Sequence, residues 1–230
     1  EIKRIENLEE YTNNLKNEKK DIEKELDEIA NIIHITRKEE AENLSNKINK
    51  ELKELEMKNA KIHVRVTKQE QYNRNGKDEV AFYIQTNLGE DEKELSKIAS
   101  GGEISRTMLG IKKVLADTDE VPILIFDEID TGISGKAANS VAQKLAHIAK
   151  KHQVLCISHL PNIAAMADNN YFISKNIVNE RTNTNIKKLD ENEILQEIAR
   201  ISSGEINEIS LKYAEELRKR TKTEKNKSEH

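Results

Sequence analysis

Three short polar motifs in this chain have residue types and positions that could do chemistry. The segment Ser100–Glu103 directly precedes a helical pattern, the pair Asp127–Glu128 ends an apolar run, and His159 follows a second apolar run. In proteins that alternate strands and helices, ligand sites form at the carboxyl ends of strands and at the helix starts that follow them. These motifs are therefore the candidate functional residues.

The first motif, Ser100-Gly101-Gly102-Glu103, suits the binding of an anion. Two glycines allow backbone N–H groups to approach a phosphate closely, and the helix start adds about half a positive charge. Ser100 adds a hydroxyl donor. The alternative is an ordinary turn, because Ser-Gly-Gly is common at such places, and the motif by itself leaves both interpretations open.

The second motif places two acids, Asp127 and Glu128, at the end of the apolar segment Ile123–Phe126. Carboxylates beside an apolar strand are costly unless they meet a cation or act on water. Asp127 could hold Mg²⁺ through water, and Glu128 could orient and deprotonate an attacking water. The alternative is a strand that simply ends in solvated acids.

The third motif is His159, which could bind a phosphate or position a catalytic carboxylate; the alternative is a satisfied structural histidine. Cys156, flanked by apolar residues, is interpreted as a buried small hydrophobe. Apart from the Mg²⁺ that Asp127 could hold, no metal site is expected, because the other histidines have no ligand spacing with acids or cysteine. Those histidines are His34, His63, His147, His152 and His230.

The elements that must position these motifs alternate between strand and helix. Apolar runs at Ile123–Phe126 and Val154–Ile157 predict buried strands, and helical periodicity over 104–115 and 138–149 predicts helices beside them. Alternation of this kind predicts a mainly parallel sheet covered on both faces, hence an α/β domain from about residue 59 to 230.

Other segments complete the predicted domain. A hairpin is predicted from residues 63–67 and 80–86 around a turn at 72–77. Strands are predicted at 171–174 and, as an edge, near 186–189, and two helices at 191–202 and 207–220.

The first part of the chain, residues 1–58, is predicted to be a coiled-coil segment. Apolar residues recur at heptad spacing from Ile5 to Ile33, with Glu, Lys and Asn almost everywhere else. After Ile33 the period moves toward 3.6, which favours packing against a domain. The alternative is an ordinary long surface helix. A helix this polar needs a partner strand, which we expect from another chain or from a preceding half of the polypeptide.

Composition excludes several classes of protein. The 230 residues are 35% charged and 3% aromatic, which is too polar for one compact domain and indicates a long solvated helix joined to a globular part. The net charge of −4 does not favour general attraction of nucleic acid. A single cysteine fits a reducing cytosol, and no apolar run approaches the roughly 20 residues needed to cross a bilayer.

The order of the motifs carries a family resemblance. Ser100–Glu103 resembles the signature of ABC-type ATPases, Asp127–Glu128 their Walker B acids, Asp130–Gly135 their D-loop region, and His159 their switch histidine. The wording Asp-Glu-Ile-Asp resembles the SMC branch. Five segments are similar to the RecN family of DNA-repair ATPases. They are Leu95-Ser96-Lys97-Ile98-Ala99 through Arg106, Phe126 through Gly135, Ile157 through Pro161, Ala164 through Asp168 and Glu197 through Arg200.

This resemblance implies a fold and a set of roles. The fold would be the C-terminal lobe of a P-loop ABC-type ATPase head behind an N-terminal coiled-coil helix, with ATP and Mg²⁺ as cofactors. Asp127 would hold Mg²⁺, Glu128 would be the general base, and His159 would be catalytic. The nucleotide would be bound by Ser100, Gly101, Gly102, Glu103 and Ser134.

The resemblance also implies partners, because the sequence has no Gly-x-x-x-x-Gly-Lys-Ser/Thr phosphate loop. That loop is expected in the N-terminal half of the same protein, so the chain alone is expected to be inactive. A second head would engage head to tail, its bound ATP meeting Ser100 and Gly102. The expected setting is double-strand break repair and recombination on DNA, in the cytoplasm and at the nucleoid, with no membrane partner.

Two other functions remain open at this point. One is the head of another SMC-like or break-processing ATPase, and the other is a non-catalytic coiled-coil interaction protein. The basic residues of 218–227 are interpreted as a solvated, disordered end, with DNA contact as the alternative.

Overall fold

A computed structural model of the chain describes residues 2–98, 101–178 and 181–227. The chain divides into two compact units. The first contains the chain up to Asn46 together with Ile62–Ile84 and Glu92–Lys97. The second contains Lys47–Lys61, Gln85–Asp91 and the described residues from Ile98 onward.

The first unit is built on one long helix and a three-stranded sheet. Helix α1 (Ile2–Glu54) runs through the predicted coiled-coil segment and continues into the second unit. Strands β1 (Lys61–Asn73), β2 (Gly76–Gln85) and β3 (Lys93–Glu94) form the sheet in that order, followed by a 3₁₀ turn at Leu95–Lys97. The predicted hairpin is confirmed, and its strands are longer than the sequence pattern indicates.

Most heptad positions of α1 that the structure describes face solvent, whereas Ile33 at the end of the stripe is half-buried. The side chains of Leu8, Leu15, Ile22, Leu26 and Ile29 are all exposed, whereas Ala41, Ile48 and Leu52 further along the helix are buried. The change of period after Ile33 agrees with this change in burial. The side chain of Ile5 lies outside the described residues. A coiled-coil partner for the exposed stripe therefore stays a prediction.

The second unit contains the elements that carry the motifs. These are α2 (Gly102–Leu115), β4 (Ile123–Phe126), α3 (Gly135–Ile148), β5 (Gln153–Cys156) and the short α4 (Pro161–Met166). Strands β4 and β5 are parallel, in register from Ile123↔Gln153 to Phe126↔Cys156. Leu124, Phe126, Val141, Leu145 and Ile148 lie in one buried cluster, so α3 covers one face of this pair.

The end of α1 packs against α2 and α3 within the second unit. A Cβ placed on Gly110 would lie 3.3 Å from Leu52 Cδ2, so glycine permits the close approach of these helices. The buried ammonium of Lys144 pairs with Glu51 and lies 2.7 Å from Glu54 Oε2. This packing places the C-terminal end of α1 against α2, the helix that follows the glycine-rich motif.

The remaining elements of this unit are an antiparallel hairpin and two helices. Strands β6 (Tyr171–Val178) and β7 (Arg181–Lys188) pair with each other, Tyr171 opposite Lys188. Helix α5 (Glu191–Ser203) starts with a capping box between Asp190 and Glu193, and α6 (Glu208–Lys227) follows it. The parallel pairing that the sequence predicts is therefore present at β4 and β5, while the other described strands pair antiparallel through short connections.

The basic segment 218–227 is helical as far as the structure describes it, so the prediction of a disordered end is wrong for those residues. Arg218 is buried, and its Nη1 donates to the carbonyls of Ala165 and Ala167 at 2.7 Å each. Lys222 Nζ lies 2.7 Å from Glu191, and Lys225 pairs with Asp168. These cations are engaged within the protein because α6 packs against α4 and α5. Within the described part of the chain, no helix combines the length and the apolar character needed to span a membrane.

Candidate functional site

The parallel pairing of β4 with β5 brings two of the predicted motifs to one edge of the sheet. Phe126 lies opposite Cys156, and the Ile157 N–H donates to the Phe126 carbonyl at 3.0 Å, which extends the ladder by one step. Asp127 and Glu128 leave the end of β4, and the segment leading to His159 leaves the end of β5. The carboxyl edge of this strand pair is therefore the candidate site.

The two acids at the end of β4 are exposed and their backbone is held in place. The Glu128 N–H donates to Asp127 Oδ1 at 2.9 Å, and the Ser105 hydroxyl on α2 donates to the Asp127 carbonyl at 2.8 Å. Glu128 has a φ of 55°, in the left-handed region that a non-glycine residue adopts at a cost of about 1–3 kcal/mol. Strain of this kind clusters at functional positions.

The donor set at this edge fits a magnesium ion. Carboxylate oxygens are the ligands that Mg²⁺ prefers, and the ion usually keeps several waters and takes one or two carboxylates together with substrate phosphates. Asp127 supplies an exposed carboxylate, which matches that pattern. Among the described residues, no group of three or more His, Cys, Asp or Glu could hold a metal by itself.

His159 is held by a buried carboxylate that the sequence-based site did not include. Asp130 is 3% exposed, and its Oδ2 accepts from the Ser158 hydroxyl at 2.6 Å and from the His159 N–H at 2.7 Å. The same oxygen lies 3.0 Å from His159 Nδ1. The segment after β4 is thus tied directly to the segment after β5.

A buried arginine holds the backbone around Asp130. Arg106 Nη1 donates to the Thr131 carbonyl at 2.7 Å and to the Ile129 carbonyl at 3.4 Å. Burial, which opposes the charged form, lowers the pKa of Arg106 from its ordinary value, and the Glu103 carboxylate opposes this shift. Among the atoms described, its Nε has no hydrogen-bond partner. Helix α2 therefore contacts the loop after β4 through the buried guanidinium of Arg106.

The glycine-rich motif is described only in part, because Ser100 lies outside the described residues. Gly101 precedes α2 in an extended conformation, and a Cβ at this position would meet nothing within 4 Å. Gly102 is buried, and a Cβ there would lie 2.9 Å from both Thr131 Cβ and the Thr131 carbonyl. Glycine at 102 therefore allows α2 to approach the loop after β4, in addition to its predicted role with an anion.

Replacing Gly102 with Ala is expected to lower the free energy of unfolding by about 1–3 kcal/mol, because the added methyl must displace Thr131 backbone. Gly101→Ala is the matched control. It adds the same methyl in open space at a φ of 165°, which any residue adopts. Chemical denaturation of both variants measures the difference, and equal midpoints would contradict the close-approach explanation.

Two clefts bring further predicted residues together. A cleft of about 330 Å³ is lined by Glu103, Arg106 and Ser134 among others, and one of about 690 Å³ is lined by Ser134 and His159. Ser134 precedes α3, is exposed, and makes no capping hydrogen bond with its side chain. Asp127 and Glu128 line neither cleft. Ser134 therefore lies near both Glu103 and His159, whereas the two acids stand at the open edge of the strands.

Cys156 is half-buried, so the prediction of a buried residue holds only in part. Burial, followed by the nearby Asp130 and Asp127 carboxylates, raises the pKa of its thiol to about 12. A thiol with so high a pKa is protonated at neutral pH and is a poor nucleophile. His152 is likewise structural, since Nδ1 lies 2.7 Å from the Val121 carbonyl and Nε2 3.2 Å from the Ala116 carbonyl.

Sequence reasoning missed three residues that shape this site: Ser105, Arg106 and Asp130. All three lie inside the segments that resemble the RecN family, so their places in the sequence were already singled out. Their contacts were not, because each joins segments more than 20 residues apart in sequence. A buried acid two residues beyond Glu128 could have been suspected, since it follows an apolar strand.

Comparisons with known proteins find close relatives of part of this chain. It is 46% identical over 158 residues to the DNA repair protein RecN of Halalkalibacterium halodurans, which covers 68% of this chain and 28% of that protein. It is 37% identical over 194 residues to the DNA repair protein RecN of Deinococcus radiodurans, covering 84% of this chain and 34% of the relative. The chain thus spans about a third or less of these relatives, and the resemblance carried by its motifs is confirmed.

Other comparisons add little to this. No family model matches the chain. Among solved structures, the Smc head domain with a coiled coil and joint from Pyrococcus yayanosii aligns with a TM-score of 0.49 at 17% identity, covering 73% of this chain and 30% of that one.

Proposed function

We propose that this chain is the C-terminal part of an ATP-hydrolysing, SMC-like DNA-repair protein of the RecN type. The observation that carries the proposal is the meeting of Asp127, Glu128 and the His159 segment at one edge of the β4–β5 pair. Relatives named as DNA repair proteins at 37–46% identity support it. The biological process proposed is double-strand break repair and recombination, in the cytoplasm and at the nucleoid.

Each site residue has a role in this proposal. Asp127 would hold Mg²⁺, which supplies charge neutralisation for the phosphates when it is bound. Glu128, exposed and with a left-handed backbone, accepts the proton of the attacking water. His159 presents its imidazole at the same edge. Ser100, Gly101, Gly102, Glu103 and Ser134 bind nucleotide, with Ser100 and Gly102 directed to ATP held by a second head.

One face of the β4–β5 pair supports a missing layer of the same polypeptide. Ile125 is 69% exposed and Leu155 is 47% exposed; Ile123 on β4 and Ile157 directly after β5 are exposed as well. Parallel strands are almost always covered on both faces, whereas α3 covers just one face here. We propose that the preceding part of the polypeptide, with the phosphate loop, covers the open face.

ATP hydrolysis by this chain, before and after joining to the phosphate-loop part, tests the proposal. We expect no turnover by the chain alone and turnover by the joined polypeptide, because the chain's sequence has no phosphate loop. Turnover by the purified chain alone would contradict the division of the site. A joined polypeptide that folds and binds ATP without hydrolysing it would favour a non-catalytic coiled-coil protein instead.

The open face can be tested in the same experiment. Ile125→Ser should reduce the turnover recovered on joining, since it weakens an apolar contact of that face. The matched control is Val80→Ser on β2, a similarly exposed aliphatic residue of the first unit. Both variants should leave the melting temperature of the isolated chain nearly unchanged, because both side chains are exposed in it.

The proposed association with DNA is supported by the similarity to DNA repair proteins and not by a basic surface of this chain. The net charge is −4, and Arg218, Lys222 and Lys225 are paired within the protein. The exposed heptad positions of α1 support a coiled-coil partner strand from the preceding part of the polypeptide. We therefore place DNA contact in the assembled protein, with a second head engaging head to tail.

A further inference from the structure

We infer that Asp130 is a positioning residue that sets the ring orientation and the proton position of His159. The inference rests on the proposed function, in which His159 acts on the nucleotide site. It assigns to Asp130 a task that differs from those of Asp127 and Glu128, although all three acids follow the same strand. Asp127 and Glu128 are exposed, whereas Asp130 is buried.

Two hydrogen bonds and one further close contact converge on one oxygen of Asp130. The Ser158 hydroxyl and the His159 N–H both donate to Oδ2, at 2.6 Å and 2.7 Å, and His159 Nδ1 lies 3.0 Å from it. A buried carboxylate is stable only when such donors satisfy it. Because backbone and side chain of His159 both meet this oxygen, Asp130 determines where the residue sits and which way its ring faces.

Packing does not hold the imidazole, so the carboxylate must. The His159 side chain is 75% exposed, and an exposed ring with no bonded partner would sample several rotamers. A proton on Nδ1 can donate to this neighbouring oxygen, whereas a lone pair there would be repelled by it. In the neutral ring Nε2 then has the lone pair and faces away from Asp130.

The backbone on either side of Asp130 is itself fixed. Arg106 binds the carbonyls of Ile129 and Thr131, the two neighbours of Asp130, and Gly102 lets α2 approach Thr131 closely. A supporting residue of this kind holds a functional side chain in one geometry at little entropic cost during the reaction. Helix α2 is therefore linked to His159 by two steps: Arg106 holds the backbone around Asp130, and Asp130 contacts His159.

A purely structural role for Asp130 makes a different prediction. If Asp130 only joined two loops, its loss would lower stability and would affect turnover equally with or without His159. If it positions His159, the effects of the two residues must be non-additive, because they act as one unit. The proton position on the ring is a second readout that a structural role would leave unchanged.

The test uses the joined polypeptide that carries the phosphate loop, with ¹⁵N-labelled histidine and with His159→Gln to assign the His159 signals. We expect wild-type His159 to show the Nδ1–H tautomer. Asp130→Ala should shift it toward the Nε2–H form and lower kcat about 10–100-fold with little change in KM. Asp130→Asn keeps an acceptor and should recover part of kcat. Asp130→Ala should add nothing to His159→Ala.

Each other outcome overturns the inference. An unchanged tautomer in Asp130→Ala would show that Asp130 does not set the proton position. A further loss of kcat when Asp130→Ala is added to His159→Ala would show an action that does not pass through His159. If Asp130→Ala fails to fold, Asp130→Leu, which also removes the acceptor and fills more of the buried space, decides through the tautomer and kcat. A wild type without ATP turnover would contradict the proposed function, while the tautomer still decides the role of Asp130.

Discussion

Replacing Glu128 with Gln in the joined polypeptide is expected to lower ATP turnover about 10²–10⁴-fold while ATP binding persists. The substitution keeps the size and the exposed position of the side chain and removes the carboxylate that accepts the proton of water. Asp127, which would hold Mg²⁺, is unchanged, so the nucleotide still has its metal contact. Steady-state hydrolysis and equilibrium nucleotide binding measure the two effects separately.

The control for this variant is Glu120→Gln, which makes the same chemical change at another exposed acid, in the loop that precedes β4. It should leave turnover unchanged. Unchanged turnover in Glu128→Gln would remove Glu128 as the general base. Loss of ATP binding in that variant would instead indicate that the carboxylate is needed to assemble the site.

Arg218→Ala is expected to destabilise the second unit by about 3 kcal/mol, since each hydrogen bond to a charged group contributes about 1.5–3 kcal/mol. Arg218 is 6% exposed and donates to the carbonyls of Ala165 and Ala167 at the end of α4. Without the guanidinium, both carbonyls lose this charged donor, although the Ala165 carbonyl still accepts from the Thr221 hydroxyl at 2.8 Å. Chemical denaturation should show the loss as a lower midpoint.

The matched control is Lys222→Ala, which removes the other cation paired with Glu191. Lys222 is exposed, so its ion pair is screened by solvent and its loss should change stability little. Equal effects of the two substitutions would show that the Glu191 ion pairs, and not the buried carbonyl contacts of Arg218, account for the loss.

Lowering the pH distinguishes the Glu191 ion pairs from the hydrogen bonds that Arg218 donates to carbonyls. Hydrogen bonds from Arg218 and then Lys222 lower the pKa of Glu191 from 4.5 to about 2. Because this pKa is depressed in the folded protein, the ion pairs contribute fully above about pH 4.5 and are lost as the pH falls toward about 2. The carbonyl bonds do not titrate. The difference in stability between wild type and Arg218→Ala should therefore shrink only in part over that range.

The sequence by itself determined the local elements and the candidate chemistry. The apolar run Ile123–Phe126 predicts β4, and helical periodicity predicts α2 and α3, because these signals act within a few residues of the chain. The residues of the motifs and their order also indicated a resemblance to the RecN family. The assignment of Asp127, Glu128, His159 and the glycine-rich motif to a nucleotide stays a prediction that the experiments above test.

Tertiary structure alone decided which groups are buried together. Asp130 and Asp127 look alike in sequence, yet one is buried against Ser158 and the other is exposed, because the loop after β4 turns back under the segment after β5. The segment containing Arg218 and Lys222 looks like a solvated tail, yet it packs as a helix against α4 and α5. Such outcomes depend on contacts between distant parts of the chain, and no local pattern encodes them.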